Sequence, residues 1–243
     1  MNKKERHSSY GMSIAHARES FGKVKVNLQF MSVDKDYKCI LFSSSVAGEG
    51  KSTIAANLAV SLAASEYKTI LIDADLRHPT QHRLFNIVNN VGLSDIIIKK
   101  LDWKTYVNET DVPNLFVIST GRTPPNPAEL LGSNRMGDIM AEIRQEYDFV
   151  LIDSSPVLLV PDPVSLSKHV DGVIIVARYN FTTQPAILCA KDALKVASKP
   201  IIGTILNNVS CSERLYEYGK KHGYKHGYYR DCLQPVIRKR TGV

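Results

Sequence analysis

The chain has 243 residues, 44% of them hydrophobic, and a formal net charge of +7 at pH 7. That suits one α/β domain with short extensions and a full apolar core. No apolar run reaches the roughly 18 residues of a membrane span, and the charged start, Met1 to His7, has no apolar segment behind it, so neither a span nor a signal peptide is expected.

Four cysteines, Cys39, Cys189, Cys211 and Cys232, are scattered without metal-ligand spacing. Reduced thiols in a cytoplasmic chain are the expectation, with Cys39 and Cys189 as small core residues. Much of the positive charge lies near the C-terminus, at Arg214, Lys220, Lys221, Lys225, Arg230, Arg238, Lys239 and Arg240. Such charge could favour nucleic acid or an anionic membrane, but a solvated tail explains it most simply, with nucleic acid as a minor alternative.

In chain order, residues 10–30 carry Ile14, Ala17, Phe21, Val24 and Leu28 on one helical face. A polar break follows, then the short apolar run Cys39-Ile40-Leu41-Phe42, which reads as a strand. Ser45-Val46-Ala47-Gly48-Glu49-Gly50-Lys51-Ser52-Thr53 comes next, ahead of an amphipathic stretch from Ile54 to Ala64. Strand, glycine loop and helix in that order are the context of a phosphate-binding P-loop. Gly48 and Gly50 let the backbone turn its N–H groups around a phosphate, Lys51 brings a point charge, and the Ser52 hydroxyl suits Mg²⁺. Backbone from Ala47 through Gly48, Glu49, Gly50, Lys51, Ser52 and Thr53 is the expected cradle, aided by the helix dipole. Ser45 stands where the motif asks for glycine, and a chance Gly/Ser turn is the competing reading.

The run Thr69 to Ile72 ends in Asp73-Ala74-Asp75-Leu76-Arg77. On a strand, residues two apart share a face, so Asp73 and Asp75 are expected to point together off its end. Residues 88–111 mix apolar and polar positions and give no clear reading. Leu115 to Ile118 is a short strand, Thr123-Pro124-Pro125-Asn126-Pro127 a rigid loop, and residues 128–131 and 135–145 are helical. Phe149-Val150-Leu151-Ile152-Asp153 reads as a Walker B strand that delivers Asp153 to the metal. A lone aspartate after a strand is ordinarily a turn or cap residue; three such elements in one chain point to one nucleotide site. Helix is expected over 161–169 and 185–198, a buried strand over 172–177 and the last strand over 200–206. Asn207 and Asn208 end the last strand, where an amide could read an adenine edge or simply form a turn. Continuous apolar strands alternating with helices predict a P-loop NTPase-like parallel sheet with helices on both faces.

The tail differs in kind. Tyr216, Tyr218, Tyr224, Tyr228 and Tyr229 are five of the chain's 11 tyrosines, interleaved with Gly, Lys and His without apolar periodicity. The expected organisation is a helical extension over 1–36, a P-loop domain over 37–210 and a flexible tyrosine-rich basic tail over 211–243. The tail could stack on bases or accept phosphate.

The glycine loop, the Asp73–Arg77 element, the Asp153 strand, Pro124-Pro125-Asn126-Pro127-Ala128-Glu129-Leu130-Leu131 and the tyrosine cluster together resemble the bacterial tyrosine kinases, most closely the CpsD/CapB type. The resemblance runs from about Glu19 to the C-terminus. The Walker elements are shared with the ParA/MinD partitioning ATPases, but those carry a second lysine five residues before the P-loop lysine, where this chain has Val46. A MinD/ParA-like nucleotide-switch ATPase is therefore the alternative, and a nucleic-acid-binding ATPase ranks behind it.

The resemblance implies an ATP- and Mg²⁺-dependent kinase that autophosphorylates its tail tyrosines and regulates capsular or extracellular polysaccharide synthesis. Lys51, Asp73, Asp75, Asp153 and Arg77 are the implied catalytic set, and Ser52, Asp75 and Asp153 the implied metal shell. Either Asp73 or Asp75 would act on the incoming tyrosine. Arg77 would stabilise charge or pair with an acidic neighbour. Implied partners are a separate membrane adaptor of the chain-length-regulator type, further copies in a ring, and a cognate tyrosine phosphatase; the location would be the inner face of the membrane, through the adaptor. The family's ring helix carries arginines three and six residues after its Glu. Here Glu19 is followed at those positions by Gly22 and Lys25, and lysine does not reproduce a bidentate arginine contact.

Overall fold

A computed structural model describes residues 14–31, 37–196 and 199–209. In chain order the elements are α1 (Ile14–Met31), β1 (Cys39–Ser44), α2 (Lys51–Ala63), β2 (Thr69–Asp73), α3 (Gln81–Leu84), α4 (Leu93–Ile98), a 3₁₀ turn (Trp103–Tyr106), β3 (Asn108–Glu109) and β4 (Leu115–Ile118). Then come α5 (Pro127–Leu131), α6 (Asn134–Glu146), β5 (Phe149–Asp153), α7 (Asp162–Ser167), β6 (Gly172–Arg178), α8 (Gln184–Lys195) and β7 (Ile201–Asn207).

The seven strands form one sheet in the order β3-β4-β2-β5-β1-β6-β7. Every pairing is parallel except β3 with β4. The sheet is parallel as expected, with one antiparallel edge where a two-residue strand pairs Asn108 with Val117 and Glu109 with Phe116. A strand that short carries too little pattern to be read from sequence.

Burial on both faces explains the continuous apolar strands. Leu41, Ile70, Ile72, Val150 and Ile152 pack under the α6–α7 layer with Trp103, Ile139 and Ile143. Ile40, Phe42, Leu71 and Leu151 face α2 and α1 through Leu58, Leu62, Phe21 and Leu28. Phe21 and Leu28 of the expected α1 stripe are buried, and Val24 packs beside them. β7 is the exception: as an edge strand it leaves Gly203, Thr204 and Leu206 exposed. Cys39 is buried in β1, and burial pushes its thiol up to about 12. Cys189 is exposed on α8 rather than in the core, because α8 turns its apolar stripe inward at Ala190 and Leu194.

The topology sets the site. β1 lies between β5 and β6, and β2 lies beyond β5. The chain therefore reverses its winding direction beside β1, which opens a crevice at the C-terminal strand ends. The segments leaving β1, β2 and β5 all meet there. Register places Asp153 opposite Phe42 on one side and opposite Asp73 on the other.

Candidate functional site

The glycine loop bridges β1 and α2. Gly48 and Gly50 have φ of 84° and 91°, the left-handed region that favours glycine. At Gly50 a Cβ would also lie 2.2 Å from Asn207 Nδ2. Ser45 is not among the residues with positive φ, so its backbone does not need the motif's glycine. Gly50 caps α2 without a side-chain hydrogen bond, which leaves first-turn N–H groups to an anion. Ser52 and Thr53 belong to that turn, while Ala47, Gly48 and Glu49 lie in the loop before it.

The loop is held from two sides. Val46 N donates to Glu49 Oε2 at 2.9 Å, and Thr182 Oγ1 donates to Glu49 Oε1. Thr182 Oγ1 in turn accepts from Arg178 N at 2.7 Å. Asn207 Nδ2 donates to the Glu49 carbonyl at 3.0 Å, and Asn207 Oδ1 accepts from Asn208 N at 2.8 Å. Glu49, expected as a backbone contributor, thus also supplies a buried carboxylate that staples the loop. Asn207 grips the loop, and Asn208 is an exposed left-handed residue beyond it; both amide ends of Asn207 already have partners inside the protein.

Lys51 Nζ lies 2.8 Å from Asp75 Oδ2, 3.4 Å from Asp153 Oδ1 and 3.1 Å from Ser52 Oγ. Burial pulls the Lys51 pKa down, but the charges of Asp153 and Asp75 outweigh it and leave the ammonium group held above its usual value. Burial likewise works against Asp75, yet the Lys51 charge and hydrogen bond carry its pKa below the usual carboxylate value. Asp75 Oδ1 also accepts from Ser155 Oγ at 2.9 Å and from His78 N at 3.1 Å.

Asp73 behaves differently. β2 ends at Asp73, so the shared-face expectation fails: Asp75 sits in the following turn. Asp73 Oδ2 accepts from Thr80 N and Gln81 N, each at 2.9 Å, and its Oδ1 accepts from Asp75 N at 3.3 Å. Burial, then the Asp153 charge, pushes its pKa up to about 7. Asp73 organises the turn, and Asp75 is the carboxylate turned to Lys51.

Arg77 takes the second of its two expected roles. Its Nε and Nη2 donate to Asp162 Oδ2 and Oδ1 at 2.8 and 3.1 Å, and this bidentate pair ties the turn after β2 to α7. Gln81 was not foreseen. Its Nε2 donates to Asp153 Oδ2 at 2.8 Å and to the Ser52 carbonyl at 3.1 Å. Nor were Ser155 and Thr182. Ser155, two positions past Asp153, had the one available signal; Gln81 and Thr182 reach the site only through tertiary folding.

On α1, Lys25 Nζ donates to Ser65 Oγ at 2.7 Å, and a side chain at Gly22 would meet no atom within 4 Å. The five tail tyrosines lie outside the described residues.

The fit to ATP and Mg²⁺ rests on this donor set. The groups around Lys51 are all oxygens, as a hard cation requires. Among the described residues no cluster of three or more His, Cys, Asp or Glu side chains could hold a metal ion. Mg²⁺ bound beside a nucleotide needs fewer, because phosphates and waters complete its octahedron. Ser52 Oγ with Asp153 and Asp75 meets that need.

A left-handed glycine loop at a helix N-terminus, its lysine, and carboxylates from two neighbouring strand ends define a P-loop nucleotide site. Residues 37–189 match the AAA domain family. The chain is 39% identical over 201 residues to the tyrosine-protein kinase YwqD of Bacillus subtilis, covering 83% of this chain and 84% of that one. Among solved structures, the chimerical protein CapA2B2 superposes with a TM-score of 0.76 at 33% identity, over 84% of this chain and 88% of that one. The kinase domain of the Escherichia coli tyrosine kinase ETK gives 0.75 at 26% identity, over 87% and 80%. MinD of Pyrococcus horikoshii, complexed with Mg-ADP, gives 0.62 at 23% identity over 73% and 72%, a likeness of fold alone. The chain belongs to the bacterial tyrosine kinases.

Proposed function

We propose that this protein transfers the γ-phosphoryl group of ATP to tyrosine hydroxyls, with Tyr216, Tyr218, Tyr224, Tyr228 and Tyr229 of its own tail as acceptors. The observation that carries the reading is Lys51, held at the glycine loop within hydrogen-bond reach of Asp75 and Ser52 and 3.4 Å from Asp153. Mg²⁺, when bound, would offset the negative charge that develops on the phosphates. Ser52, Asp153 and Asp75 are its proposed protein ligands, directly or through water.

The chain's own groups supply positioning and electrostatics, the main contributions to phosphoryl transfer. Loop amides from Ala47 to Thr53 bind the phosphates, and Lys51 turns from Asp75 toward the β/γ oxygens. Asp75, released from Lys51, accepts the hydrogen bond of the incoming tyrosine hydroxyl and takes its proton. Asp73 holds the 74–81 turn, and Arg77 anchors it to Asp162. Asn207 sets the Glu49–Gly50 peptide, and Asn207 and Asn208 together border the adenine.

The wider assignment follows the family. Tail phosphorylation adds nearly two negative charges per tyrosine to a basic segment, and would regulate polysaccharide synthesis through a membrane adaptor, a ring of copies and an opposing tyrosine phosphatase. Among the described residues no helix is long and apolar enough to cross a membrane. Attachment to the inner membrane face would come through the adaptor. Replacing all five tail tyrosines with Phe tests the reading. Phosphotyrosine should vanish while ATP still binds; full phosphotyrosine elsewhere on the chain would overturn the choice of acceptors, and ATP turnover with no phosphotyrosine in either protein would favour a nucleotide switch.

A further inference from the structure

Gln81 has no solvent exposure, and its role is not that of a surface turn residue. It opens the short helix α3, outside the Asp73–Arg77 element, yet joins the three parts of the site. Its main-chain N–H donates to Asp73 Oδ2 at 2.9 Å. Its Nε2 donates to Asp153 Oδ2 at 2.8 Å and to the Ser52 carbonyl at 3.1 Å. Both groups facing that atom are acceptors, so the amide nitrogen must be the end that meets them. Its Oε1 is buried and has no hydrogen-bond partner among the described residues.

The consequence falls on Asp153. One carboxylate oxygen is occupied by Gln81, and the other, Oδ1, is the one nearest Lys51 Nζ. The same amide fixes the first turn of α2 through the carbonyl of the residue whose hydroxyl is needed. One donor shared by the Asp153 carboxylate and the Ser52 carbonyl holds that carboxylate at a constant distance from the residue that carries the hydroxyl. Partners of this kind, one bond removed from a metal, hold its ligands in place, and their loss typically weakens metal binding 10- to 100-fold.

We propose that Gln81 is a positioning residue for Mg²⁺: it sets Asp153 and Ser52 in register so that the nucleotide-bound cation meets both. This rests on the reading of Asp153 and Ser52 as metal ligands. A residue needed only for packing would be replaced without loss by an unbranched apolar side chain of the same length, which makes Gln81→Met the informative substitution.

The test is calorimetric titration of the full chain with ADP, in Mg²⁺ and again in EDTA, for the parent, Gln81→Met, Gln81→Glu and Asp153→Asn. The quantity read is the gain in ADP affinity that Mg²⁺ confers. In both Gln81 variants that gain should fall roughly 10- to 100-fold, while affinity in EDTA stays within about twofold of the parent. Should Gln81→Met melt below the assay temperature, Gln81→Glu keeps the side-chain length, removes the donor and carries the test. A gain unchanged in the Gln81 variants but lost in Asp153→Asn overturns the inference and leaves the metal site standing. Equal losses in Mg²⁺ and EDTA make Gln81 a scaffold residue and also overturn it. A gain that survives Asp153→Asn removes the metal-site reading itself, and this inference with it.

Discussion

Replacing Asp73 with Asn should stabilise the protein at alkaline pH. Asp73 is fully buried at the end of β2, and burial together with the Asp153 charge raises its pKa from 3.8 to about 7. The folded state therefore binds this proton more tightly than the unfolded state. The group's contribution is complete below about pH 3.8 and is lost as the pH climbs through about 7. At about 1.36 kcal/mol per unit, a separation of about 3 units is worth about 4 kcal/mol. Asn retains one oxygen to accept from Thr80 N and Gln81 N, but its amide nitrogen cannot accept from Asp75 N; that loss costs about 1 kcal/mol. The variant should thus match the parent within about 1 kcal/mol at pH 4 and exceed it by about 3 kcal/mol at pH 8. For a chain of this size, 3 kcal/mol is a rise in Tm of roughly 6–12 °C. Urea unfolding followed by circular dichroism at pH 4, 6 and 8 measures the difference. The reasoning is refuted if the variant is less stable than the parent by the same amount at all three values.

Other perturbations report on the rest of the site. Arg77→Ala leaves the buried Asp162 without its bidentate partner and should cost about 1–3 kcal/mol, with Arg77→Lys recovering only part of the loss in thermal unfolding. Gly50→Ala forces a side chain into a φ of 91° and onto Asn207. ADP affinity should fall roughly 5- to 30-fold, since the left-handed conformation alone costs an L-residue roughly 1–2 kcal/mol. Adding Asn207→Ala removes the collision but not the φ strain, so calorimetry of the double variant should show partial recovery. Thr182→Val removes the hydroxyl that serves Glu49 and Arg178. With a buried carboxylate oxygen unpaired, unfolding free energy should drop by about 1–3 kcal/mol, and a cycle with Glu49→Gln should show the two effects coupled.

The strands were legible because buried parallel strands are written as β-branched apolar runs, and β2, β4 and β5 begin and end where those runs do. The stretch 88–111 was not, for a physical reason. Its short pieces are held by tertiary contacts: Trp103 is buried against α6, where its Nε1 donates to Glu142, and Asp95 accepts from Arg122 N. No local periodicity records such contacts. The site shows the same division. Lys51, Asp75 and Asp153 were visible because a charged residue at the end of an apolar run is conspicuous. The relative orientation of Asp73 and Asp75 was not, since the strand stops at Asp73 and the following turn re-aims Asp75. Arg77 left two roles open in sequence, and only Asp162, 85 residues away, decides between them. Gln81 and Thr182 are ordinary polar residues until folding carries them to Asp153 and Glu49.

The most direct test of the account is mass spectrometry of the tail peptide spanning 215–230 after incubation of the full chain with ATP and Mg²⁺, with and without an adaptor's cytoplasmic segment. A Lys51→Met sample runs in parallel. The account predicts phosphotyrosine on that peptide in the parent and none in Lys51→Met. An unmodified tail in every sample, with ATP nonetheless hydrolysed by the parent, would contradict it.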